Sequence, residues 1–494
     1  MGVNTPGRIH REQTEHVTIV GDLLGGTSVM RTCAEKYLPR QKFETADDYK
    51  TRLNGATLYP AYKETIGSMR GRVFADRPLR HDIPEWIKNE VFPDVDRNGQ
   101  TIDIFLPKLF DNALAYGHVG VLVDSPEFDS TPTLAVAKEK KLHPYYVMVN
   151  KNQILDARAE DGTLVHLRLA FEDEVRDDAD EFLTTTKRTV RVYDKVLANG
   201  VPNVQVRLYV EKKTPTDGQV EYDLVSTRLM AVPEITFMCF STGFERTFVS
   251  KPPLIDLAYL NAKHWSLQSS YDTMCMIAMI PILTLIGADA STNLLIGSKS
   301  AVKISNPDGD LKYTEHTGAA MRTGREALDK LKEEMRESGA KLLLPQLTSA
   351  NKTATQASEE AQRENSPLAT MVVDFATSFR ELLRLTCMWR KEALPEGARI
   401  ELRPNLKPDF APTDTAQVLI NAADRNLISF QTVFDELQRR SIIQNTLTWE
   451  EEKSRIAKDP SGYLIRSLEV KEKVQDARNE EGQDSNPLPQ SQNQ

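Results

Sequence analysis

The chain lacks the residue patterns from which common catalytic and metal sites are built. Its four cysteines, Cys33, Cys239, Cys275 and Cys387, are far apart and form no CxxC or His/Cys cluster. That pattern argues against a zinc site and fits a reducing compartment. The glycine-rich stretch 19–28 lacks the lysine that would reach a β/γ-phosphate, and reads instead as a turn ahead of a helix at 29–37. There is no GxSxG elbow, no HExxH and no GxGxxG after a strand. His264, beside Trp265, reads as a packed core residue, not a base. The pairs Asp47-Asp48 and Asp177-Asp178 lie in polar stretches, where carboxylates stay solvated and ionised. The expectation is a protein with no catalytic residues, no cofactor and no bound metal.

Long apolar runs are also missing. The most apolar stretch, 275–288, spans about 14 residues and is broken by Pro281, short of the roughly 20 that a bilayer demands. It reads as a buried core helix, and no membrane partner is expected. No secretory leader is visible, and Pro6 and Gly7 stand where a myristoylation signal would have Ser or Thr. Positive charge is in deficit: 62 Lys and Arg against 71 Asp and Glu give a net charge of −9. A protein that coats nucleic acid by bulk charge is thereby disfavoured, whereas one past which DNA slides is not.

What is present is 494 residues, 40% hydrophobic and 27% charged, enough for about two to four cores. The organising stretch is 251–318. Pro252 and Pro253 suit a helix start. Leu254, Leu257, Ala258, Trp265, Leu267, Tyr271, Met274 and Ile277 then recur at helical spacing until Pro281 ends the helix. A short β-branched strand, 282–286, leads into a polar excursion containing Lys299, Lys303 and the turn Asn306-Pro307-Asp308-Gly309. A second helix, 319–338, carries a narrow stripe of Met321, Leu328, Leu331 and Met335, with Glu326 and Lys330 spaced to pair at i,i+4. The layout predicts a projecting two-helix stalk with a tip.

Residues 1–125 read as mainly helical, with helices after Tyr59 and over 106–116, then a strand at 119–123. From 133 to 241 the period changes to two (Leu167, Leu169, Phe171; Val190, Val192; Val204, Val206, Leu208, Val210), which predicts an antiparallel sheet. The acidic run Glu172–Glu181 (Glu172, Asp173, Glu174, Asp177, Asp178, Asp180, Glu181) departs from EF-hand spacing and reads as a solvated loop. Residues 339–357 are hydroxyl-rich with Lys341 and Lys352 and no acid until Glu359: a loop suited to touching phosphate, or a plain linker. A long helix, 357–392, is expected to kink near Pro367. A strand at 400–402, a proline-rich connector, helices from 413, after Ser429 and over 449–458, and a polar tail from about 471 complete the chain.

Four stretches carry a likeness: Tyr59-Pro60-Ala61-Tyr62 with Gly71-Arg72-Val73-Phe74; Leu114-Ala115-Tyr116-Gly117-His118-Val119-Gly120-Val121-Leu122-Val123-Asp124; Pro252-Pro253-Leu254-Ile255-Asp256-Leu257-Ala258; and Asn426-Leu427-Ile428-Ser429. In their order over residues 50–460 the chain resembles the portal (head–tail connector) proteins of tailed bacteriophages. The resemblance implies an α+β, mainly helical fold. Its wing would be 1–250 (helical 1–125, β-rich 126–250), stem helices 251–281 and 318–338, clip 282–317 and tunnel loop 339–357. A kinked channel helix 358–395, C-terminal wing or crown helices 396–470 and a disordered tail 471–494 would follow. It further implies a homo-oligomeric ring, usually a dodecamer, at one capsid vertex of a virion assembled in the host cytoplasm. Double-stranded DNA would pass through it during packaging and ejection. Terminase large subunit, head–tail adaptor, and major capsid and scaffolding proteins would be its partners. On this map Lys341, Thr348, Ser349, Asn351 and Lys352 would meet DNA, and Lys299, Lys303, Asn306 and Asp308 the adaptor. Leu257, Trp265, Tyr271, Leu328, Leu331 and Met335 would pack the stem. Two other classes stay open: a metal-dependent enzyme using the acidic run, and another virion part such as an adaptor or minor capsid protein.

Overall fold

The computed structural model describes residues 2–126, 143–176, 182–198, 200–212, 221–230, 232–280, 282–286, 308–314, 318–343, 366–405, 420–425, 427–439, 443 and 448–458. The chain is a mixed α+β protein of two compact units, Met1–Leu406 and Lys407–Gln494. The first unit opens with α1 (Arg8–Leu24), α2 (Gly26–Cys33), α3 (Ala46–Gly55), α4 (Ala61–Val73), β1 (Leu79–His81), α5 (Ile102–Tyr116) and β2 (His118–Asp124). Residues 19–24 are helical rather than a turn, because Ile19, Val20 and Leu23 recur at helical spacing and are buried. The turn shrinks to Gly25 and Gly26, the latter at φ 74°.

Next come β3 (Tyr145–Val149), β4 (Ile154–Glu160), β5 (Thr163–Arg176), β6 (Thr184–Ala198), β7 (Val201–Lys212), β8 (Glu221–Met230), β9 (Phe237–Ser241), β10 (Phe244–Arg246) and β11 (Val249–Ser250). β4 to β8 form an antiparallel meander in sequence order, and β2 lies between β3 and β9 in a second antiparallel sheet. Asp161 and Gly162, both at positive φ, make the primed turn that joins β4 to β5. The alternating residues Leu167, Leu169, Phe171, Val190, Val192, Val204 and Val206 are buried as the period of two predicts. The acidic run divides differently from expectation. Glu172, Asp173 and Glu174 lie in β5 opposite β6, with Glu172 accepting from Arg188 at 2.8 Å. Residues 177–181 lie outside the described residues.

The unit continues with α6 (Ile255–Ala278), β12 (Ile282–Ile286), β13 (Asp310–Thr314), α7 (Ala319–Ala340), α8 (Pro367–Met388) and β14 (Arg399–Glu401), the last pairing with β1. One core cluster joins α1, α2, α4, α5, β2, the first half of α6, Met335 of α7 and most of α8. A second lies between the two sheets, around Leu122, Val149, Leu167, Leu169, Tyr193 and Phe237. In the second unit, α9 (Phe430–Arg439) and α10 (Trp449–Lys458) meet through Phe434 and Trp449, whose rings are 5.4 Å apart. Ser429 caps α9, its hydroxyl accepting from the Thr432 amide at 3.1 Å. Thr448 and Glu451 form a reciprocal capping box on α10. The tail from 471 lies outside the described residues.

Pro367 does not kink a helix. It is the first residue of α8, where its missing N–H costs nothing, and the Ser366 side chain caps the start by accepting from the Ala369 amide. The helical turns expected over 357–365 ahead of it lie outside the described residues.

Three of the stretches quoted above converge at the end of α5. Gly117 closes that helix in the left-handed region, φ 86°. A Cβ there would meet the Ser250 hydroxyl at 2.8 Å, the Lys251 carbonyl carbon at 3.0 Å and the Pro252 nitrogen at 3.0 Å. The buried Lys151 ammonium donates to Tyr116 O at 2.8 Å, to Ser250 O at 2.8 Å and to the Ser250 hydroxyl at 3.3 Å. It thus neutralises the negative end of α5 from another element. His118, whose pKa burial pushes down to about 3, is a neutral imidazole whose Nδ1 shares a 2.6 Å hydrogen bond with the Ser250 hydroxyl.

Two outcomes follow from this joint. Gly117→Ala adds both left-handed strain and the contacts above, and should cost roughly 2–4 kcal/mol. In urea unfolding the midpoint should fall with the slope unchanged; an unaltered midpoint would contradict the packing. Lys151 has its pKa drawn by burial from 10.5 down to about 8, so between those values the unfolded chain holds more protons than the folded one. The stability difference between the parent and Lys151→Met should therefore move in the parent's favour as pH rises from 8 to 10.5. A flat difference would contradict it.

Candidate functional site

The candidate site is the α6–α7 pair and the strands at its end. Asn261 fixes the root of α6. Its side-chain oxygen accepts from the Tyr62 amide at 3.0 Å, and its amide donates to Tyr59 O at 2.8 Å. This satisfies the first turn of α4, which otherwise has no side-chain cap. Trp265 is fully buried one turn further on. His264 packs with its ring 5.5 Å from that of Tyr59; burial, then Lys332, lowers its pKa.

The two helices run antiparallel. At the far half, Gly324 of α7 lets the backbones approach: a Cβ there would stand 2.9 Å from the Tyr271 ring and 3.3 Å from the Met274 methyl. Nearer the root, the Lys332 ammonium lies 5.9 Å from the Tyr59 ring centroid. At the root end a Cβ on Gly339 would meet Thr65 of α4 at 3.0 Å. Buried positions of α6 stop at Ser269, and those of α7 begin only at Leu328. Beyond those points the helices leave the core. The strands β12 and β13 pair antiparallel at the far end, from Ile282 with Thr314 to Ile286 with Asp310.

This far half leaves apolar surface uncovered. Met276 is 62% exposed, Ile277 63%, Met279 73% and Ile280 70%. They occupy the last turn of α6 and the two residues after it. Met276, two residues on from Met274, points away from the Gly324 contact. Tyr313 on β13 is exposed as well.

The residues assigned from sequence distribute as follows. Leu328, Leu331 and Met335 are buried, and Tyr271 packs at Gly324. Leu257, Trp265 and Met335 belong to the main core of the unit. Among the described residues Glu326 and Lys330 do not pair; an i,i+4 pair on α7 joins Arg325 with Asp329 at 4.0 Å. Lys341 is the exposed C-cap of α7. Thr348, Ser349, Asn351 and Lys352 lie outside the described residues; on either side of that span the Leu368 amide donates to Leu342 O at 3.1 Å. Asp308 is exposed just ahead of β13; Lys299, Lys303 and Asn306 lie outside the described residues. Sequence reasoning missed Asn261 and Gly324. The glycine had a signal, a lone Gly inside a helical pattern, which marks close approach; the asparagine had none. Among the described residues no group of His, Cys, Asp and Glu could hold a metal, and no helix is long and apolar enough to cross a membrane.

A family model described as a domain of unknown function, DUF4055, matches residues 253–390, the span from the turn before α6 to just past α8. No curated protein matches the sequence. Solved structures similar to the chain are gene transfer agent (GTA) particles and necks. The virion of a native GTA particle has a TM-score of 0.39 at 13% identity, over 87% of this chain and 99% of that one. The neck of an empty particle computed with C6 symmetry gives the same four values: 0.39, 13%, 87% and 99%. The neck of a native particle with C12 symmetry has a TM-score of 0.41 at 13% identity, over 81% and 95% of the two chains.

If Gly324 sets the approach of the helices, Gly324→Leu should pry apart their far halves and leave the rooted core intact. Amide exchange at 270–280 and 319–327 should quicken by about tenfold or more, with that of α5 and α8 unchanged. Unchanged exchange in the far half would mean that the glycine contact does not hold the pair.

Proposed function

We propose that the chain is the subunit of a portal-type ring, a conduit for double-stranded DNA at one vertex of a phage-like capsid. The observation that carries this reading is the far half of the α6–α7 pair: a stalk rooted in the core and left uncovered by the described residues, with Met276, Ile277, Met279 and Ile280 exposed along one flank. Apolar area of that extent on an emergent rod is stabilised by covering it, at roughly 1.5–3 kcal/mol for each side chain fully removed from water. With the flank covered by a different face of a neighbouring copy, the contact is heterologous, and a rotation that closes makes a ring. On this reading the β12–β13 end is the clip facing an adaptor. The tunnel loop expected over 339–357, of which 344–357 lie outside the described residues, is the segment facing the bore, with Lys341 in it.

Charge fits a conduit. At −9 per chain, a ring of about a dozen copies carries on the order of a hundred net negative charges, and such a bore repels a polyanion more than it grips one. Each phosphate held would add to the barrier against sliding. In this reading the chain performs no catalysis; the motor that drives DNA is a separate terminase, and capsid and scaffolding proteins are its other partners.

Sedimentation velocity of the full chain tests the assembly step. The parent should form a closed species of many copies. Met276→Glu combined with Ile280→Glu should return it to monomers that melt at the parent monomer's temperature, since both side chains are mostly solvated. Assembly of the variant equal to the parent, or a parent that stays monomeric at every concentration, would overturn the proposal.

A further inference from the structure

A basin of about 500 Å³ opens between the five-stranded sheet and the end of β2. Its wall includes Arg97, Asp124, Ser125, Tyr145, Arg191 and Arg228. Asp124 is the anchor, 3% exposed. One carboxylate oxygen accepts from the Ser125 amide at 2.9 Å and from Arg228 at 3.3 Å; the other accepts from the Tyr145 hydroxyl at 3.4 Å and from Arg191 at 3.5 Å. Those four donors occupy the lone-pair positions that a carboxylate offers. Asp124 is therefore fully used in orienting its neighbours and has no acceptor capacity left for Arg97.

The guanidiniums are not used up in turn. Each carries five N–H donors; Arg191 gives one, at long range, to Asp124 and also faces the Tyr193 hydroxyl, which leaves several unused. Stacking holds Arg191 in place, its guanidinium carbon 4.9 Å from the Phe171 ring centroid. Arg97 lies over the Tyr145 ring at 5.5 Å and has no carboxylate partner among the described residues. Its backbone is at φ 63°. A turn holds it there: Asp96 accepts from the Asn98 and Gln100 amides at 3.0 and 3.2 Å, and the Val95 amide donates to Gln100 O at 2.8 Å. Even with Arg228 set aside, two guanidiniums face one saturated carboxylate, in a chain whose net charge is −9. A concave wall of planar donor forks, a phenol and a serine amide suits bidentate recognition of a tetrahedral oxyanion.

We infer that this basin binds a phosphate-class oxyanion, free or as a monoester, through Arg97 and Arg191 on a frame set by Asp124. The basin lies on the sheet, apart from the α6–α7 stalk, and the inference does not depend on ring formation. The phosphate would take up N–H groups of Arg97 and Arg191 that no described carboxylate occupies, while Asp124 holds Arg191 and the Tyr145 ring beneath Arg97 in place.

Isothermal titration of the full chain at constant ionic strength tests this, with inorganic phosphate in one arm and a nucleoside 5′-monophosphate in the other. Saturable binding of one ligand per chain is expected in at least one arm; tighter binding of the monoester identifies an ester as the occupant, equal binding identifies the free anion. Arg97→Asn, exposed and at a backbone angle that asparagine tolerates, should weaken binding at least tenfold with the melting temperature unchanged. Arg336→Gln on α7 should have no effect. Arg191→Gln should also abolish binding; if that variant fails to fold, Arg97→Asn decides alone. No saturable binding in either arm, or the same affinity in the Arg97→Asn protein, overturns the inference.

Discussion

The two hydrogen bonds of Asn261 are the constraint on which the stalk depends. They place one amide side chain between Tyr59 O and the Tyr62 amide, so α6 can leave the core at only one angle relative to α4. Losing them would strand a buried donor and a buried acceptor, each worth about 1–3 kcal/mol when unpaired. Around the same joint, the Tyr62 hydroxyl donates to Ala115 O at 2.7 Å, and Gly117 lets the chain of Ser250 to Pro252 pass against the end of α5. A rod that emerges from a globule needs a stiff socket, and the buried hydrogen bonds of Asn261 and Tyr62 supply one where apolar packing alone would allow it to rock.

That socket explains why the apolar pattern of α6 changes along its length. Near the root, Leu257, Ala258 and Trp265 are sealed in the core. Past Ser269 no residue of the helix is buried, yet from Met274 through Ile280 the sequence is continuously apolar. A helix that needed only solubility would turn polar once it left the core. The persistence of Met276, Ile277, Met279 and Ile280 is a cost in the isolated chain, which assembly of copies would remove.

Much of this was legible in the sequence. The stalk helices, the strand after Pro281, the change of period at the sheets and the capping serine at 429 follow from spacing and cap chemistry, which are local. The failures were of two kinds. Residues 19–24 looked like a glycine-rich loop because glycine content was weighed over the recurrence of Ile19, Val20 and Leu23, and tertiary burial decided for helix. Pro367 looked internal because the polar stretch 357–365 was read as the first turns of the same helix; the mark of the start of α8 was Ser366 before a proline. Asn261 could not have been found at all, since its partners are 199 and 202 residues away and an asparagine on a helix face is ordinary. The same holds for Asp124 and its arginines, which only the meander brings together.

The central claim is that copies of this chain cover one another's stalk flanks about a common axis. Images of the purified chain at tens of micromolar, averaged without imposed symmetry, test it most directly. The account predicts annular particles with an axial opening and with all stalks pointing the same way. Solid particles with no opening, or isolated monomers at every concentration, would contradict it.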